Sequence, residues 1–522
     1  MDANARRDWK LDAVAMLEAG GPISRLKPGY RPSRNQIALT AALVSTLQTG
    51  YLEREQGRKG AAISIAEAAT GTGKTLATLL AAAIDVANTG GRELISTHTL
   101  ALQRQIFGGA MPAIRKTENG KYEIDDGTIG GDAAVALNAV ESVLGRRPKI
   151  AIRRGMSNFV DIRRLKSHID AMLSTELEAG TEETLAFVET AGAFQEFAAA
   201  VAKNDDLGLI EEFWERQDRE MVEKYRRLFP DSAICLLGGA SEASSIEATK
   251  FKEHVAASKE ADILVVPHVY AILHAKWGGR VLNDPEDRKI DFALFDEADR
   301  LPDAAQSVVD SSISLRVAAG VFEKWSKNDG IHAEEDLAEK IESLSKRIRN
   351  LDESIQGNYD AYVRNRPQDF CRLPGEKNGG FLMVSAQAVG NGKDDVRYEG
   401  PDGHLVGEIR GIREEISGLL TRRYQSDLEP ILEFMYRTRS SLDVFLRAVD
   451  DTESPSENAP VAAIAFSPKR IYVLFVAKSL LPARILSLLW EPRRDGEGGL
   501  ESSEFRAAVF VSASISGNTS GD

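Results

Sequence analysis

The stretch that decides the fold is residues 61–89, which read AAISIAEAATGTGKTLATLLAAAIDVANT. Its first part, Ala61–Ala66, is typical of a short strand, and from Leu76 onward apolar residues recur at helical spacing. Between them, Ala68–Thr75 fits the pattern A-x4-G-K-T, with alanine in place of the usual first glycine. Glycines in such a turn let backbone N–H groups close around phosphate oxygens. The order of strand, turn and helix therefore predicts a phosphate-binding loop.

The residue types of this loop have distinct expected roles. Lys74 would place its charge against the β- and γ-phosphates of ATP as a catalytic residue, and Thr75 would offer its hydroxyl to Mg²⁺. A chance glycine-rich turn is the weaker interpretation, because a strand precedes the loop and a helix follows it. ATP and Mg²⁺ are thus the expected cofactors. The predicted nucleotide-binding residues of the loop are Thr70, Gly71, Thr72, Gly73, Lys74 and Thr75.

Further apolar runs extend this alternation of strands and helices. They lie at Glu93–Thr97, Ile263–Val266, Phe292–Phe295 and Ala507–Val511. Strands that alternate with helical patterns form parallel sheets covered by helices on both faces. The sequence therefore predicts an α/β core.

An acidic turn, Asp296-Glu-Ala-Asp299, follows the apolar run Phe292–Phe295. The carboxyl end of a strand is where an α/β sheet binds its ligands. Asp296 would hold Mg²⁺, and Glu297 would orient and deprotonate the attacking water. Taken alone, the turn could equally be a solvated acidic surface. Its pairing with the phosphate-binding loop favours the catalytic interpretation.

Composition limits the possible classes of protein. The 522 residues carry a net charge of −14, so bulk charge would not bind this chain to nucleic acid. Its only two cysteines, Cys235 and Cys371, exclude a disulfide framework and a four-cysteine iron–sulfur cluster supplied by this chain alone. No apolar run reaches the ~18 residues of a membrane span, so we expect no membrane contact.

One local patch is basic in spite of the acidic total. Residues 146–166 hold eight lysines and arginines and the single acid Asp161. Such a patch predicts contact with nucleic-acid phosphates, and a solvated basic face is the alternative. Phe159 would either stack on a base or lie in the core. The arginines expected to bind DNA are Arg153, Arg154, Arg163 and Arg164.

Two insertions interrupt the predicted core, and both are helical by pattern. Residues 165–250 are acidic and helical, whereas residues 310–455 contain two heptad seams, Leu337–Ile355 and Leu405–Leu419. The seams predict an antiparallel helical pair, and two ordinary amphipathic helices packed on the core are the alternative.

Several motifs in this order resemble those of superfamily 2 helicases of the XPD/DinG group. Arg34-Asn-Gln36 stands where that family has its Q motif, and the resemblance implies nucleotide binding by Arg34 and adenine recognition by Gln36. Residues 95–105, ISTHTLALQRQ, resemble motif Ia, which touches the DNA backbone in the family. Residues 511–515, VSASI, resemble motif III, which implies that Ser512 and Ser514 couple ATP to DNA.

Weaker likenesses support the same family. Residues 154–159, RGMSNF, look like the segment that opens the family's iron–sulfur domain, and residues 261–268 resemble a strand that ends in Asn-His, here Pro-His. His98 and His268 are interpreted as buried or loop-positioning histidines, and no zinc site is expected. With motif Ia included, the resemblance adds four residues to the predicted DNA-binding set, namely Thr97, His98, Gln103 and Asn158.

The departures from the family narrow the comparison. Asp161 occupies the place of the first cluster cysteine, so we expect no iron–sulfur ligands and a vestigial iron–sulfur domain. The later insertion would then correspond to the family's arch domain. DinG proteins associated with type IV CRISPR systems are similar in lacking the cluster. The chain would also lack the family's second RecA-like domain, because nothing after Ser516 supplies its motifs.

The expected organisation is a RecA-like P-loop NTPase domain with two mainly helical insertions. Its predicted segments are 1–160 for the first part of helicase domain 1, 161–255 for the vestigial insertion, 256–310 for the second part with the DEAD sequence, 311–455 for the arch-like insertion and 456–522 for the last part.

The function expected from the resemblance is an ATP-dependent DNA helicase or translocase with 5′→3′ polarity, cytoplasmic and bacterial. Single-stranded DNA and a CRISPR RNA-guided effector complex are its expected partners. The alternative is an ATP- and DNA-binding docking module that does not translocate by itself. A third reading, a different P-loop NTPase such as a small-molecule kinase, fits the motif Ia segment less well.

Overall fold

The computed structural model describes most of the chain in two compact units, Met1–Ala304 with Ile485–Asp522 and Ala305–Arg484. The described residues are 7–31, 33–109, 111–174, 182–203, 208–217, 222, 226, 229, 234–236, 246–276, 278–282, 288–309, 311–327, 336–358, 361, 364–372, 380–389, 396–421, 429–450, 461–466, 474–478, 482–494 and 500–513.

Helices and strands alternate through both units. The helices are α1 (Trp9–Leu17), α2 (Pro22–Leu26), α3 (Arg34–Glu55), α4 (Lys74–Thr89), α5 (Leu100–Ile106), α6 (Gly131–Leu144), α7 (Ile162–Ser174), α8 (Glu182–Ala202), α9 (Ile210–Glu215), α10 (Ile246–Lys259), α11 (His268–Lys276), α12 (Leu301–Val309), α13 (Leu315–Ser326), α14 (Leu337–Gly357), α15 (Gly403–Leu420), α16 (Glu429–Asp450) and α17 (Pro482–Ser487). The strands are β1 (Ala62–Glu67), β2 (Glu93–Thr97), β3 (Ile114–Lys116), β4 (Tyr122–Ile124), β5 (Ile150–Ile152), β6 (Ile263–Pro267), β7 (Phe292–Asp296), β8 (Ser311–Ser314), β9 (Phe370–Arg372), β10 (Gly380–Met383), β11 (Gln387–Val389), β12 (Arg397–Glu399), β13 (Val461–Phe466), β14 (Leu474–Lys478), β15 (Arg493–Arg494), β16 (Leu500–Glu501) and β17 (Ala507–Ser512).

The first unit is built on a six-stranded parallel sheet of order β1-β17-β7-β2-β6-β5. Glu67 is in register with Ser512, and Val511 is in register with Asp296. The carboxyl ends of β1, β17 and β7 therefore meet at one edge, where the phosphate-binding loop and the DEAD sequence both begin. The predicted α/β fold with a parallel sheet is confirmed.

The two faces of this sheet bury different side chains. On one face, Ile95, Leu294 and Val509 belong to a core shared with the fully apolar side of α4. On the other face, Phe295 and Phe510 stack with ring centroids 5.1 Å apart. Strands buried on both faces read as continuous apolar runs, which is why β2, β7 and β17 were recognisable in the sequence.

The 161–255 insertion packs around aromatic side chains. Phe194 of α8 stacks on Phe213 of α9 with centroids 3.7 Å apart, and Trp214 meets Phe194 edge-on at 5.4 Å. Cys235 is buried in the same cluster. Within the residues that the structure describes, no group of three or more His, Cys, Asp and Glu side chains could hold a metal ion.

The second unit combines helices with a five-stranded antiparallel sheet of order β8-β14-β13-β10-β9. It runs from 305 to 484, past the expected limits of the arch-like insertion, because β13 and β14 pair with β10 and β8. The prediction of a mainly helical insertion missed this sheet, whose strands are short and separated along the chain.

Both predicted heptad seams are buried in this second unit. Ile348 of α14 and Ile412 of α15 are 1% and 2% exposed, and they share one core with residues of α13 and α16. Arg347 joins the two helices by contacts of 3.1 Å to Glu408 and 3.4 Å to Glu415. The seams thus lie in a core of four helices and do not form an isolated pair.

Across the ranges given above, no helix is long and apolar enough to cross a membrane.

Candidate functional site

The predicted phosphate-binding loop lies between the end of β1 and the start of α4, at the carboxyl edge of the parallel sheet. The N–H of Ala68 donates to the carbonyl of Ser512 over 2.9 Å, which ties the start of the loop to the end of β17. Gly71 and Gly73 have φ values of 81° and 79°. That left-handed conformation favours glycine. Successive backbone N–H groups in turns of this kind can form a concavity that binds anions.

Lys74 closes the loop on itself. Its Nζ donates to the carbonyl of Ala68 over 3.0 Å and contacts that of Ala69 over 3.4 Å. The Thr72 hydroxyl donates to the same Ala69 carbonyl over 2.7 Å. Main-chain carbonyls thus hold the ammonium group where the sequence pattern expects phosphate oxygens. Thr70 and Thr75 flank this turn as predicted.

Gln36 of α3 lies against the loop. Its Nε2 donates to the Gly73 carbonyl over 3.0 Å, and its Oε1 accepts from the Tyr30 hydroxyl over 2.8 Å. A Cβ at Gly73 would stand 2.2 Å from this amide, so a side chain there would displace the Gln36 amide from the loop. The positive φ of Gly73 favours glycine independently. Arg34, by contrast, is exposed and lines an open groove between α1 and α3.

Asp296 ends β7 beside the loop. Its Oδ1 accepts from the N–H of Glu297 over 3.0 Å. Burial raises the pKa of Asp296, and the charge of Lys74 acts in the opposite direction. The structure therefore brings these two predicted catalytic residues within electrostatic reach, although 222 residues separate them in the sequence.

Glu297 has an unusual backbone for a residue with a side chain. Its φ of 57° and ψ of 44° lie in the left-handed region. Burial and the neighbouring Asp296 raise its pKa, and nearby His98 acts in the opposite direction. Its Oε2 is buried and has no hydrogen-bond partner among the described residues. A buried carboxylate oxygen without a partner is uncommon and is often found where a residue has a catalytic role.

The oxygen donors here fit Mg²⁺ bound together with nucleotide phosphates. Mg²⁺ is usually bound through one or two carboxylates and substrate phosphates and keeps several waters. Asp296 supplies a buried carboxylate whose raised pKa shows that its charge lacks full compensation, and a cation would provide it. Thr75, one residue into α4, would add its hydroxyl.

The end of β17 is linked to the DEAD turn. The Ser512 hydroxyl donates to the carboxylate of Asp299, while the Ser512 carbonyl accepts from the N–H of Ala68. Ser512 therefore contacts both the phosphate-binding loop and the acidic turn, as a coupling residue would. Ser514, the second predicted coupling residue, lies outside the described residues.

The residues of the predicted motif Ia differ in the solvent exposure of their side chains. His98 is exposed, whereas Thr97 is 1% exposed and Gln103 is fully buried. Neither the Oε1 nor the Nε2 of Gln103 has a hydrogen-bond partner in the described part of the chain. His98 alone of these three offers a side chain to DNA in this conformation.

The basic patch is much less positive in space than in sequence. Three of its cations pair with acids that are distant in the chain or belong to the insertion. Lys149 contacts Glu123 over 2.8 Å, and Arg146 lies 3.9 Å from Asp262. Arg154 is fully buried and lies 3.2 Å from Glu211. The prediction that Arg154 binds DNA phosphates is contradicted by this burial.

Other members of the patch also have local partners. Arg153 packs over the ring of Phe251, and burial lowers its pKa. Asn158 donates to the Gly155 carbonyl over 3.1 Å. Arg163 is exposed at the start of α7, and the N–H of Arg164 donates to Asp161 over 3.0 Å. Arg163 and Arg164 stay candidates for contact with DNA.

Phe159 lies in the core. It is 1% exposed, and its ring meets Phe251 and His254 edge-on, each at 5.4 Å. A side chain buried in this way cannot stack on a base without unfolding its surroundings. The base-stacking hypothesis is therefore wrong for this conformation, and the core interpretation is confirmed.

Three residues at the site were missed or undervalued in the sequence. Tyr30 contacts Gln36, and Ser96 contacts His268, with Ser96 Oγ 2.7 Å from His268 Nδ1. Asp299 bonds Ser512. Tyr30 lies six residues before Gln36, but nothing in that spacing indicates a contact. Ser96 lies inside motif Ia and gave no separate signal.

No protein-family model matches the chain, and no curated protein matches it. Among solved structures, the chain is similar to Xpd4 of S. tokodaii, with a TM-score of 0.31 and 10% sequence identity. The match covers 91% of this chain and 57% of that one, so this chain spans little more than half the length of Xpd4.

Proposed function

We propose that the chain hydrolyses ATP and couples the hydrolysis to movement along single-stranded DNA, as a helicase or translocase does. One observation carries the proposal. The fold brings Lys74 of a glycine-rich loop within electrostatic reach of Asp296, the residue before Glu297, at the edge of a parallel sheet where ligands bind.

The chemistry follows from the positions of these side chains. Lys74 would exchange its two main-chain carbonyl contacts for phosphate oxygens. Thr75 and Asp296 would hold Mg²⁺, which supplies charge neutralisation at the phosphates when bound. Glu297 would accept a proton from the attacking water, and its raised pKa makes it a stronger base.

The DNA part of the proposal has separate support. His98 is exposed next to Glu297, at the start of the segment that resembles motif Ia. A DNA strand bound across His98 would therefore lie next to the proposed hydrolysis site. Ser512 adds a second connection between the loop and the acidic turn.

The test is phosphate release with and without single-stranded DNA for the wild type and Lys74→Ala. We expect DNA to raise the wild-type rate and Lys74→Ala to remove it. Lys324→Ala, the same change on an exposed residue of α13, is the matched control and should behave as wild type. Equal rates for Lys74→Ala and wild type would refute the proposal.

A docking module that binds ATP and DNA without translocating is the second candidate. The observation that favours it is the pairing of Arg146, Lys149 and Arg154 with acids, which leaves fewer cations for a DNA strand. It predicts nucleotide-dependent DNA binding with no unwinding of a tailed duplex. Unwinding would exclude this candidate.

Polarity and recruitment are finer parts of the proposal, supported by the sequence resemblance alone. We propose 5′→3′ movement and a CRISPR RNA-guided effector complex as the partner. Duplexes with a 5′ or a 3′ single-stranded tail test the polarity. Co-purification with such a complex, with and without its guide RNA, tests the partner.

A further inference from the structure

His268 lies where three parallel strands meet, immediately behind the hydrolysis site. It follows β6 and begins α11, and its side chain is 1% exposed. Its Nδ1 is 2.7 Å from the hydroxyl of Ser96 on β2. Its Nε2 is 3.3 Å from the carbonyl of Glu297, just after β7. One imidazole thus connects the strand leading into motif Ia with the main chain of the predicted base.

The partners fix the tautomer of this ring. A main-chain carbonyl can only accept a hydrogen bond, so Nε2 carries the proton and donates to Glu297. Nδ1 then accepts from the Ser96 hydroxyl, which is free to donate. The singly protonated ring thus satisfies both partners at the same time.

The carbonyl that His268 holds belongs to a strained residue. Glu297 is one of two described residues other than glycine with a positive φ. Such a conformation persists only where the surroundings enforce it. The direction of the Glu297 carboxylate depends on this backbone, because a return to an ordinary φ would turn the side chain away.

We infer that His268 is a positioning residue for hydrolysis, which aims the Glu297 carboxylate by holding its main-chain carbonyl and connects it to Ser96. This inference rests on the proposed function. His268 does not touch the reacting atoms, and its effect should pass entirely through Glu297.

Two variants separate the two bonds of the ring. The amide nitrogen of His268→Gln reaches about as far as Nε2 and can still donate to Glu297, whereas the shorter His268→Asn cannot. We expect His268→Asn to lower kcat about tenfold with little change in the KM for ATP, because the loop is untouched. His268→Gln should recover most of kcat. Ser96→Ala should have a smaller effect than His268→Asn.

A double-mutant cycle gives a readout that a merely structural role would not move. In a Glu297→Gln background, His268→Asn should cause no further loss of kcat, since the group it positions is gone. Thermal melting of each variant shows whether a loss of rate reflects unfolding. Additive losses in the cycle, or equal losses for His268→Gln and His268→Asn, would overturn the inference.

The failure of this inference is distinguishable from the failure of the proposed function. No turnover by the wild type would overturn both. Wild-type turnover that depends on Lys74 but is unaffected by His268→Asn would overturn the role of His268 alone. Wild-type turnover with a kcat loss confined to His268→Asn, absent in the Glu297→Gln background, supports it.

Discussion

The two ends of the six-stranded sheet both bury carboxyl groups, yet only one end holds the residues of the proposed hydrolysis site. At the carboxyl end, Asp296 interacts with the charge of Lys74, and the next residue, Glu297, is partly exposed. At the amino end, Asp85 of α4 and Glu93 at the start of β2 are fully buried and interact with each other. The difference is access for a ligand, not the residue type, because Asp85 and Glu93 are fully buried whereas Glu297 is partly exposed.

Protonation lowers the cost of burying the two carboxyl groups at the amino end of the sheet. Burial raises the pKa of Asp85 to about 7, and burial together with Asp85 raises that of Glu93 well above its usual range. Neighbouring Asp291 instead pairs with Arg506 at 3.0 Å. Asp85 and Glu93 are buried away from any ligand, and their titrations are coupled to each other. Asp296 lies at the end of the sheet where the predicted loop is found, so its carboxylate could bind a cation there.

The strongest test of the comparison applies one isosteric change at each end. Glu297→Gln should lower the rate of ATP hydrolysis at least about 100-fold, since a general base typically contributes that much. ATP binding should persist, because the loop is unchanged. Asp85→Asn, measured in the same phosphate-release assay, should leave the rate within about twofold. A similar loss at both ends would break the comparison.

A second test removes the counter-ion of a buried charge. Arg154 is fully buried with Glu211 at 3.2 Å, and Glu211→Gln removes this hydrogen-bonded counter-ion and leaves the guanidinium with the charge of Glu212. We expect a loss of about 3 kcal/mol in the free energy of unfolding, read from denaturant titration. The control is Glu141→Gln. The Glu141 side chain is half-exposed, and its carboxylate lies 3.5 Å from Arg147. That change should cost less than about 1 kcal/mol, and equal losses would argue against a buried ion pair.

A third test uses pH at the amino end. The folded pKa of Asp85 lies above its unfolded value of 3.8, so its contribution to stability is complete below that value. The contribution is lost as pH rises through about 7. Asp85→Asn cannot ionise, so its melting temperature should exceed that of the wild type by about 3 °C at pH 8. The difference should vanish near pH 4, and a constant difference would contradict the raised pKa.

The smallest expected effect comes from His254, which is fully neutral in the fold. Burial and two neighbouring arginines lower its pKa to about 3, and its Nε2 accepts from the N–H of Arg154 over 3.0 Å. Because the unfolded chain binds protons first, stability should fall as pH drops from about 6.5 toward 3. His254→Gln should reduce that fall by about 1 kcal/mol, measured as the free energy of unfolding at about pH 7 and about pH 5.5.

The sequence was most informative where function and fold depend on neighbouring residues. The loop ending at Thr75 and the turn after β7 are each a continuous segment of the chain. The pattern of residues within each segment was therefore enough to predict it. The apolar strands of the first sheet were also recognisable. The sheet of the second unit was not, because β8 pairs with β14 about 160 residues later in the chain.

The basic patch shows where sequence reasoning fails. Counting cations over residues 146–166 takes no account of acids that fold onto them from elsewhere. Glu123 and Glu211 reach Lys149 and Arg154 from outside that window, and the insertion buries Phe159. Local charge predicts a surface potential only when the partners are local as well.

The most direct test of the central claim is the binding of a non-hydrolysable ATP analogue with Mg²⁺, measured by calorimetry. The account predicts binding by the wild type, affinity at least about tenfold weaker for Lys74→Ala, and wild-type affinity for Asp85→Asn at the opposite end of the sheet. Equal affinity for Lys74→Ala and the wild type, or loss of binding in Asp85→Asn alone, would contradict it.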